Sequence, residues 1–140
     1  MAMIIHLDIV SAEKAIWSGP ATMVFAPGEM GELGIAPRHT PLLTRLKAGE
    51  VRVRNQNGED ESFFISGGIL EIQPHVVTVL ADTAVRADDL DEAAAIQAKE
   101  RAAEAMAHQA SDMEFAHAKA QLAEAAAMME TIKKVRSRKG

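Results

Sequence analysis

The pattern of hydrophobic and polar positions changes character once along this chain, just after Arg86. Before Arg86, short runs of apolar and β-branched residues are separated by Gly and Pro, which is typical of strands joined by tight turns. After it, no Gly or Pro occurs until Gly140, and Ala, the residue with the highest helix propensity, dominates. We therefore predict an antiparallel β-sandwich or barrel in residues 1–87 and an all-α helical hairpin in residues 88–140.

Period-two alternation predicts several strands in the first part. Residues 51–54 alternate Val and Arg, which gives a strand with one apolar and one wet face. The Asn57-Gly58 pair behind them is the strongest short hairpin signal in the chain. Further strands are predicted at 4–10, 15–17, 22–26, 63–65, 69–72 and 76–80.

Four segments are predicted to connect or interrupt these strands. The Ser-Gly-Pro sequence at 18–20 is typical of a turn, and Ser-Gly-Gly at 66–68 allows a tight corner. Residues 31–34 are predicted to form a loop. Leu42 and Leu43 are expected to return the chain to the core.

Capping residues mark two helices in the second part. Asp88 or Asp89 is expected to cap the first helix, because a side-chain oxygen there accepts bonds from the free N–H groups of the first turn. Ser111 and Glu114 match a capping box and are expected to start the second helix. The short polar link between the helices predicts an antiparallel hairpin. The helices are predicted to end near Ala107 and Val135.

The contact between the two helices is expected to consist mostly of alanine. Large apolar residues are few in this region, whereas Ala occurs in pairs and triplets. Each buried methyl contributes only about 0.8 kcal/mol, so the hairpin combines strong helicity with weak tertiary attachment. Such a hairpin opens into extended helices at small cost, which suits a switch. A permanently docked hairpin is the alternative that the sequence leaves open.

Charge is distributed unevenly along the chain, whose net charge is −5. Residues 88–132 hold ten acids and three bases, whereas the last eight residues hold five bases and no acid. This step is typical of an interaction end. The alternative is that the cations only complement the dipole of a helix C-terminus. The five bases are Lys133, Lys134, Arg136, Arg138 and Lys139.

The composition argues against several kinds of chemistry. The chain has no Cys, which removes disulfides and thiolate metal sites and fits a reducing, intracellular compartment. Its five His show no metal-ligand spacing, and no Ser-His-Asp order, nucleophile elbow or P-loop is present. Few aromatic residues and an acidic balance argue against nucleic-acid binding. We therefore expect a non-catalytic partner protein without metal or cofactor.

Membrane insertion and secretion are not expected either. No apolar stretch reaches the roughly 20 residues that span a bilayer. Residues 1–5 lack the basic region and the long apolar region of a secretory signal. These features predict a soluble protein.

Four segments, taken in order, resemble the epsilon-subunit family of bacterial F-type ATP synthases. They are HLDIVSAEKAIWSG at 6–19, GELGIAPRHTPLLT at 31–44, SGGILEIQPHVVTVLADTA at 66–84 and DLDEA at 89–93. Together they run through nearly the whole chain with the spacing of the family. Any one of them alone would be a weak signal.

The resemblance implies a fold and a place in a rotary machine. It implies a ten-stranded N-terminal β-sandwich that sits on the gamma subunit at the foot of the central stalk and touches the ring of c subunits. It implies a peripheral subunit on the cytoplasmic face of the bacterial inner membrane that turns with the rotor and couples proton flow to ATP synthesis. Its C-terminal helices would alternate between a folded hairpin and an extended form that blocks ATP hydrolysis between the alpha and beta subunits.

The resemblance also implies roles for particular residues. The family segment that faces the c ring matches the loop that contains Glu32, Arg38 and His39. The C-terminal bases, Lys133, Lys134, Arg136, Arg138 and Lys139, would travel with the second helix into the catalytic head, where the family's beta subunits present an acidic segment.

Some members of the family bind ATP in the folded hairpin, and this chain keeps only part of their motif. Leu90 and Asp91 match it and Arg101 matches a further basic position, but the motif arginine is missing. Glu124 and Met128 stand where strong ATP binders carry arginines. Without those cations the charge-assisted bonds to phosphates are lost, so nucleotide binding is expected to be weak or absent.

Two other functions stay open at this stage. One is an ATP-sensing regulatory module whose hairpin closes on nucleotide, which a direct titration with ATP would distinguish. The other is a free-standing β-domain adaptor with a coiled-coil tail, which is disfavoured because the helices lack sustained heptads.

Overall fold

The computed structural model describes residues 3–108 and 111–139, with Lys139 described by its backbone alone. Predictions that concern Met1, Gly140 or the Lys139 side chain fall outside this part of the chain. Ten strands precede two helices. They are β1 (Ile5–Ser11), β2 (Ala15–Ala21), β3 (Met23–Gly28), β4 (Gly31–Ile35), β5 (Leu42–Leu46), β6 (Gly49–Arg54), β7 (Asp60–Ile65), β8 (Gly68–Ile72), β9 (Val76–Ala81), β10 (Ala84–Arg86), α1 (Glu92–Ala107) and α2 (Asp112–Lys139).

The strands form one hydrogen-bonded path that folds into the two layers of a sandwich. The first layer is β10-β7-β6-β3, with β4 paired to β3, and the second is β5-β8-β9-β1-β2. A single pair, Gly28 with Leu46, joins the layers through β3 and β5. The predicted all-β sandwich is confirmed. The strands described here are not all antiparallel, however, because β1 and β9 pair in parallel.

The core lies between the layers and follows from strand alternation. Val51 and Val53 on β6 are buried, whereas Arg52 and Arg54 between and after them point outward. Asp60 on β7 bonds both arginines, at 2.9 and 3.0 Å. The predicted alternation of β6 and the Asn57-Gly58 hairpin between β6 and β7 are therefore confirmed. The outer face of β6 is not fully wet, however, because α2 contacts β6 and the Arg52 side chain is only 19% exposed.

The turn predicted at 18–20 is wrong, because β2 runs straight through it. β2 lies at the edge of the second layer and pairs with β1 alone. An edge position tolerates Pro20, because no neighbouring strand on the free side requires a backbone N–H from this residue. Gly19 is needed for space, since a Cβ there would lie 3.1 Å from the Trp17 ring.

The loop predicted at 31–34 is wrong as well. Residues 31–35 form β4, which pairs with β3 so that Glu32 lies opposite Pro27. The turn is shifted to Glu29 and Met30. Glycine-rich strands are tolerated at edges, where little side-chain packing is lost.

Leu42 and Leu43 do not return to the core. They are 38% and 68% exposed at the start of β5, whose buried residue is Leu46. Leu43 pairs with the exposed Glu71 on the outer face of the second layer. The short strand β10 was not predicted, because three residues are too few to show a period.

The first helix begins later than predicted, whereas the second begins where predicted, after Ser111, and extends further. Residues 87–89 form a 3-10 turn, and Asp91 caps α1 by accepting from the N–H groups of Ala93 and Ala94. The cap is therefore Asp91 and not Asp88 or Asp89. Ser111 Oγ accepts from Glu114 N at 3.2 Å, as the capping box predicts. No helix in residues 3–108 or 111–139 is long and apolar enough to cross a membrane.

Alanine forms the contact between α1 and α2, as predicted. Apart from Thr131, every described residue of the two helices that is buried is Ala. The Thr131 hydroxyl donates to the Ala127 carbonyl at 2.9 Å. Ile96, one of the few large apolar residues on α1, stays 37% exposed. The buried alanines are Ala95, Ala102, Ala118 and Ala125.

Candidate functional site: the docking face of the C-terminal helix

The C-terminal half of α2 packs on the outer face of β6 and β7. Phe64 marks this face, since it is only 1% exposed yet does not belong to the sandwich core. Strand alternation places it on the outer side of β7 together with Ser62, and it pairs with Glu50 of β6. The signal in the sequence is the unbroken apolar run at 63–65, which breaks the alternation and indicates a strand covered on both faces.

Arg138, in the last turn of α2, is bound to Glu50. Its two terminal nitrogens donate to the two carboxylate oxygens at 2.5 and 2.8 Å, a bidentate pairing. Ser62 Oγ lies 3.5 Å from the same guanidinium. The Glu50 side chain is 8% exposed and that of Arg138 is 37% exposed. We call this group of three residues the C-terminal latch.

The electrostatics of the latch favour its charged form. Burial raises the pKa of Glu50, but hydrogen bonds from Arg138 and Ser62 and the charges of Arg138 and Lys134 outweigh burial and hold that pKa below its ordinary value. The hydrogen bond to Glu50 raises the pKa of Arg138 in return. Glu50 is therefore ionised and paired at neutral pH.

The other predicted C-terminal cations differ in their contacts. Arg136 bonds Glu92 of α1 at 2.5 Å, in an exposed pair that closes the open end of the hairpin. Lys134 lines a cleft with Glu32 and Lys47 of the sandwich. Lys133 is exposed.

Two clefts flank the latch. One, of about 340 Å³, lies between α2 and the segment from Lys47 to Glu50. The other, of about 350 Å³, lies between Val135 and Arg138 on α2 and the strands beside Ser62 and Arg86. These clefts border the helix on both sides of the latch.

The three residues predicted to face the c ring lie in two places. Glu32 is exposed on β4, next to the Glu29-Met30 turn. Arg38 and His39 lie beyond the other end of β4, where Arg38 N donates to the Pro74 carbonyl at 3.1 Å. Because β4 continues from Glu32 to Ile35 before the chain reaches Arg38, roughly 10 Å of strand separates the two places.

The turn at Arg38 and His39 is held by local bonds. His39 N donates to the Ala36 carbonyl at 3.2 Å, and Arg38 has a φ of 66°, in the left-handed region. A non-glycine residue in this region stores backbone strain. His39 Nδ1 lies 2.7 Å from the Thr40 carbonyl.

The residues predicted for nucleotide binding are not brought together. Asp91 is the cap of α1, which uses its carboxylate, and Leu90 precedes it. Arg101 lies ten residues further along, about 15 Å up the helix axis. Arg101 lines a cleft of about 400 Å³ with Gln121 and the acidic Glu124. This arrangement does not fit a triphosphate, because a carboxylate stands opposite the one cation among the described lining residues.

A Ser-His-Asp cluster, which sequence order did not predict, forms on the outer face of the second layer. Asp8 Oδ1 and Ser18 Oγ both lie 3.0 Å from the same His6 ring nitrogen, Nε2, and Ser18 donates to Asp8 at 2.6 Å. The hydrogen bond from Ser18 is the largest reason that the pKa of Asp8 is lowered. In a catalytic triad the Ser and the acid use different ring nitrogens, so the cluster is not one.

The same outer face carries an exposed apolar stripe. Ile69 and Leu80, 43% and 48% exposed, pair across β8 and β9, and Leu43 lies nearby on β5. The hairpin packs on the opposite layer, so the stripe and the latch occupy opposite faces of the sandwich.

Comparison with known proteins finds a family and close relatives with this architecture. The chain matches the ATP synthase delta/epsilon chain, with the beta-sandwich domain at residues 4–87 and the long alpha-helix domain at residues 88–133. It is 58% identical over 140 residues to the ATP synthase epsilon chain of Nitrosococcus oceani, with 100% of both chains covered.

Solved structures show the same fold at low identity. A chain of the Euglena gracilis mitochondrial ATP synthase, from a complex of OSCP, F1 and c-ring, superposes with a TM-score of 0.84 at 20% identity, covering 94% of this chain and 82% of that one. A chain of the Tetrahymena thermophila mitochondrial ATP synthase central stalk and c-ring gives 0.63 at 14% identity, covering 94% and 97%. With both parts of the chain matched and a relative 58% identical over its full length, the chain belongs to the delta/epsilon chain family of ATP synthase.

Proposed function

We propose that this chain is a non-catalytic subunit of the central stalk of a bacterial F-type ATP synthase, at the cytoplasmic face of the inner membrane. It couples proton flow to ATP synthesis by rotation and restrains ATP hydrolysis through its C-terminal helices. The observation that carries the proposal is the 58% identity to an ATP synthase epsilon chain over the full length of both chains. The order of a sandwich followed by helices supports it, because the matched regions are a beta-sandwich domain and a long alpha-helix domain.

The gamma subunit is the proposed partner of the outer face of the second layer. Leu43, Ile69 and Leu80 expose apolar surface there, and the Ser18, Asp8 and His6 cluster supplies polar groups beside it. Neighbouring exposed apolar side chains rimmed by polar ones are typical of protein interfaces. Gamma can occupy this face whether the hairpin is docked or open, because the hairpin lies on the other layer.

The c ring is the proposed partner of Glu32, Arg38 and His39. The turn between β3 and β4, next to Glu32, exposes Met30 completely. An apolar side chain presented at the tip of a hairpin favours a contact with another protein. Because Glu32 lies apart from Arg38 and His39, we propose two separate contacts.

The C-terminal cations are proposed to form the brake on hydrolysis. In the extended state α2 carries Lys133, Lys134, Arg136, Arg138 and Lys139 to the alpha and beta subunits. Opposite charges meeting in a partly dehydrated cleft attract each other more strongly than at an exposed surface.

The test of the proposed function is reconstitution. Membranes that hold an ATP synthase lacking its epsilon chain are supplied with this chain or with buffer, and the chain is then co-purified with gamma. We expect stable binding to gamma and restored coupling of proton pumping to ATP turnover. Failure to bind gamma, with uncoupled hydrolysis unchanged, would contradict the proposal.

A further inference from the structure

We propose that the C-terminal latch, Arg138 bound to Glu50 and Ser62, is the contact that holds the helical hairpin on the sandwich, and that its strength sets how much of the brake is available. The inference rests on the proposed function, which assigns the same end of α2 to the brake. It adds the internal partner that competes for this end.

The first argument is that, in the described part of the chain, the bonds of the latch join the end of α2 directly to the sandwich. Phe64 is the large apolar residue under the helix, and clefts of about 340 and 350 Å³ lie on either side of the latch. The hairpin itself is joined by alanine methyl groups, each of which buries little apolar surface. A single strong polar contact is therefore a large share of the attachment.

The second argument is that the burial of the latch, and therefore its strength, lies between that of an exposed ion pair and that of a fully buried one. Exposed ion pairs shift an equilibrium by less than about sixfold, whereas removing one partner of a buried pair shifts it by about 150-fold or more. Glu50 is nearly buried and Arg138 is about one third exposed, and the pairing is bidentate. The pair between Arg136 and Glu92 is far more exposed, at 67% and 46%, so it contributes less.

The third argument is geometric. Arg138 lies at the tip of a 28-residue helix, which is about 42 Å long. A tie at the tip prevents the helix from swinging away, whereas a tie near Ser111 would not. The guanidinium cannot bind Glu50 and an acidic partner in the catalytic head at once, so each site excludes the other.

Spectroscopic labels can report the state of the hairpin directly. The chain has no Cys, so Gln56→Cys on the β6–β7 turn and Ser137→Cys on α2 give two unique attachment points in the full-length protein. The distance between spin labels then separates docked from open hairpins. Glu50→Gln keeps the shape of the side chain and removes its charge.

We expect Glu50→Gln to increase the ratio of open to docked hairpins about tenfold, between the two limits above. The matched control is Glu71→Gln, which removes the same charge from an exposed position on β8, in the layer opposite the latch. The control should leave the ratio unchanged. An unchanged distance distribution in Glu50→Gln would overturn the latch.

A charge exchange guards against misfolding. Arg138→Glu alone should open the hairpin, and Arg138→Glu combined with Glu50→Arg should restore docking. Failure of the double variant to dock, while its sandwich melts as the parent does, would also overturn the latch.

ATP hydrolysis by the assembled ATP synthase distinguishes the effect of the latch from that of the proposed brake. Glu50→Gln frees Arg138 and should lower ATP hydrolysis, whereas Arg138→Gln removes latch and brake cation together and should raise it. If Arg138→Gln lowers hydrolysis as Glu50→Gln does, the latch stands and the brake assignment of Arg138 fails. If neither variant changes hydrolysis although the isolated chain opens, the proposed function fails and the latch stands.

Discussion

Glu50 shows how one residue acquires a role that its own surroundings in the sequence do not indicate. It lies in a strand of alternating residues, between Gly49 and Val51, and resembles any outward-facing carboxylate of a solvated sheet. Its role depends on its bond to Arg138, 88 residues later in the chain. The burial of the outward-facing Phe64 shows that this face is covered. The sequence predicted the cations but not their internal partner, because local pattern carries no information on which outer face a helix selects.

The latch should be sensitive to acid. Because the docked state lowers the pKa of Glu50, the carboxylate stabilises docking fully above its ordinary pKa of 4.5 and progressively less as pH falls below it. Ser62, Arg138 and Lys134 face Glu50, and the carboxylates of Asp60 and Glu32 lie near enough to act on Arg138. The fraction of docked hairpins, measured with the paired labels from pH 7 to pH 3, should fall below about pH 4.5. The same fall in Glu50→Gln would contradict this assignment.

Charge reversal tests the two proposed c-ring contacts separately. Glu32→Lys and His39→Glu change exposed or half-buried side chains, so the stability of the sandwich should change by no more than about 0.5 kcal/mol. Each should weaken the coupling of proton flow to ATP synthesis in membranes, and the double variant should weaken it further. Glu13→Lys, exposed in the turn between β1 and β2, is the control. Unchanged proton pumping in the double variant would show that Glu32 and His39 do not contact the c ring.

At the scale of the element, alanine explains the close packing of the two helices. The seam of Ala95, Ala102, Ala118 and Ala125 lets the helices approach closely but buries little apolar surface. Larger side chains should therefore disturb it more than they would a conventional helix pair. The seam was predictable because few other apolar residues are available in this part of the chain.

Ala125→Leu should separate the helices. Ala125 is buried in the seam, and overpacking a buried site with three extra carbons costs about 1–3 kcal/mol. The spin labels at positions 56 and 137 should report opening of the hairpin. The melting transition of the helices should shift to lower temperature. Ala126→Leu, one position along and exposed, should behave like the parent. Equal docking of the two variants would contradict a tightly packed seam.

The strands show where prediction from sequence stopped. β6 and the hairpin to β7 followed from alternation and Asn57-Gly58, since both signals are local. The turn at 18–20 and the loop at 31–34 were wrong, because Gly and Pro break only strands that need bonds on both sides. β2 and β4 lie at edges, and edge position is a property of topology, which short-range pattern does not contain.

At the scale of the whole molecule, the chain consists of a packed sandwich and a weakly attached hairpin. The sandwich core joins both layers, with Ile9, Ile35, Val51, Phe63 and Leu70 all fully buried. The hairpin is attached through the latch, Phe64 and its link to β10. We propose that residues 1–87 and 88–140 are separate units of folding.

A chain that ends at Ala87 should therefore fold alone. All ten strands and the described core precede that residue, and the loss of α2 uncovers chiefly Phe64. We expect β-type circular dichroism and a cooperative melt within several degrees of the full-length sandwich transition. A chain ending at Ala81, which lacks β10, is the control for a damaged sandwich. Absence of a cooperative melt in the chain that ends at Ala87 would contradict two units.

The measurement that tests the central claim most directly is ATP hydrolysis by the assembled complex with and without residues 133–140. If the C-terminal cations form the brake, their removal should raise hydrolysis while ATP synthesis stays largely intact. Added salt should mimic the removal in part, because it screens the same attraction. If the tail only completes the helix end, its removal should cost a little stability and nothing else. Hydrolysis as low in the truncated complex as in the intact one would contradict the account.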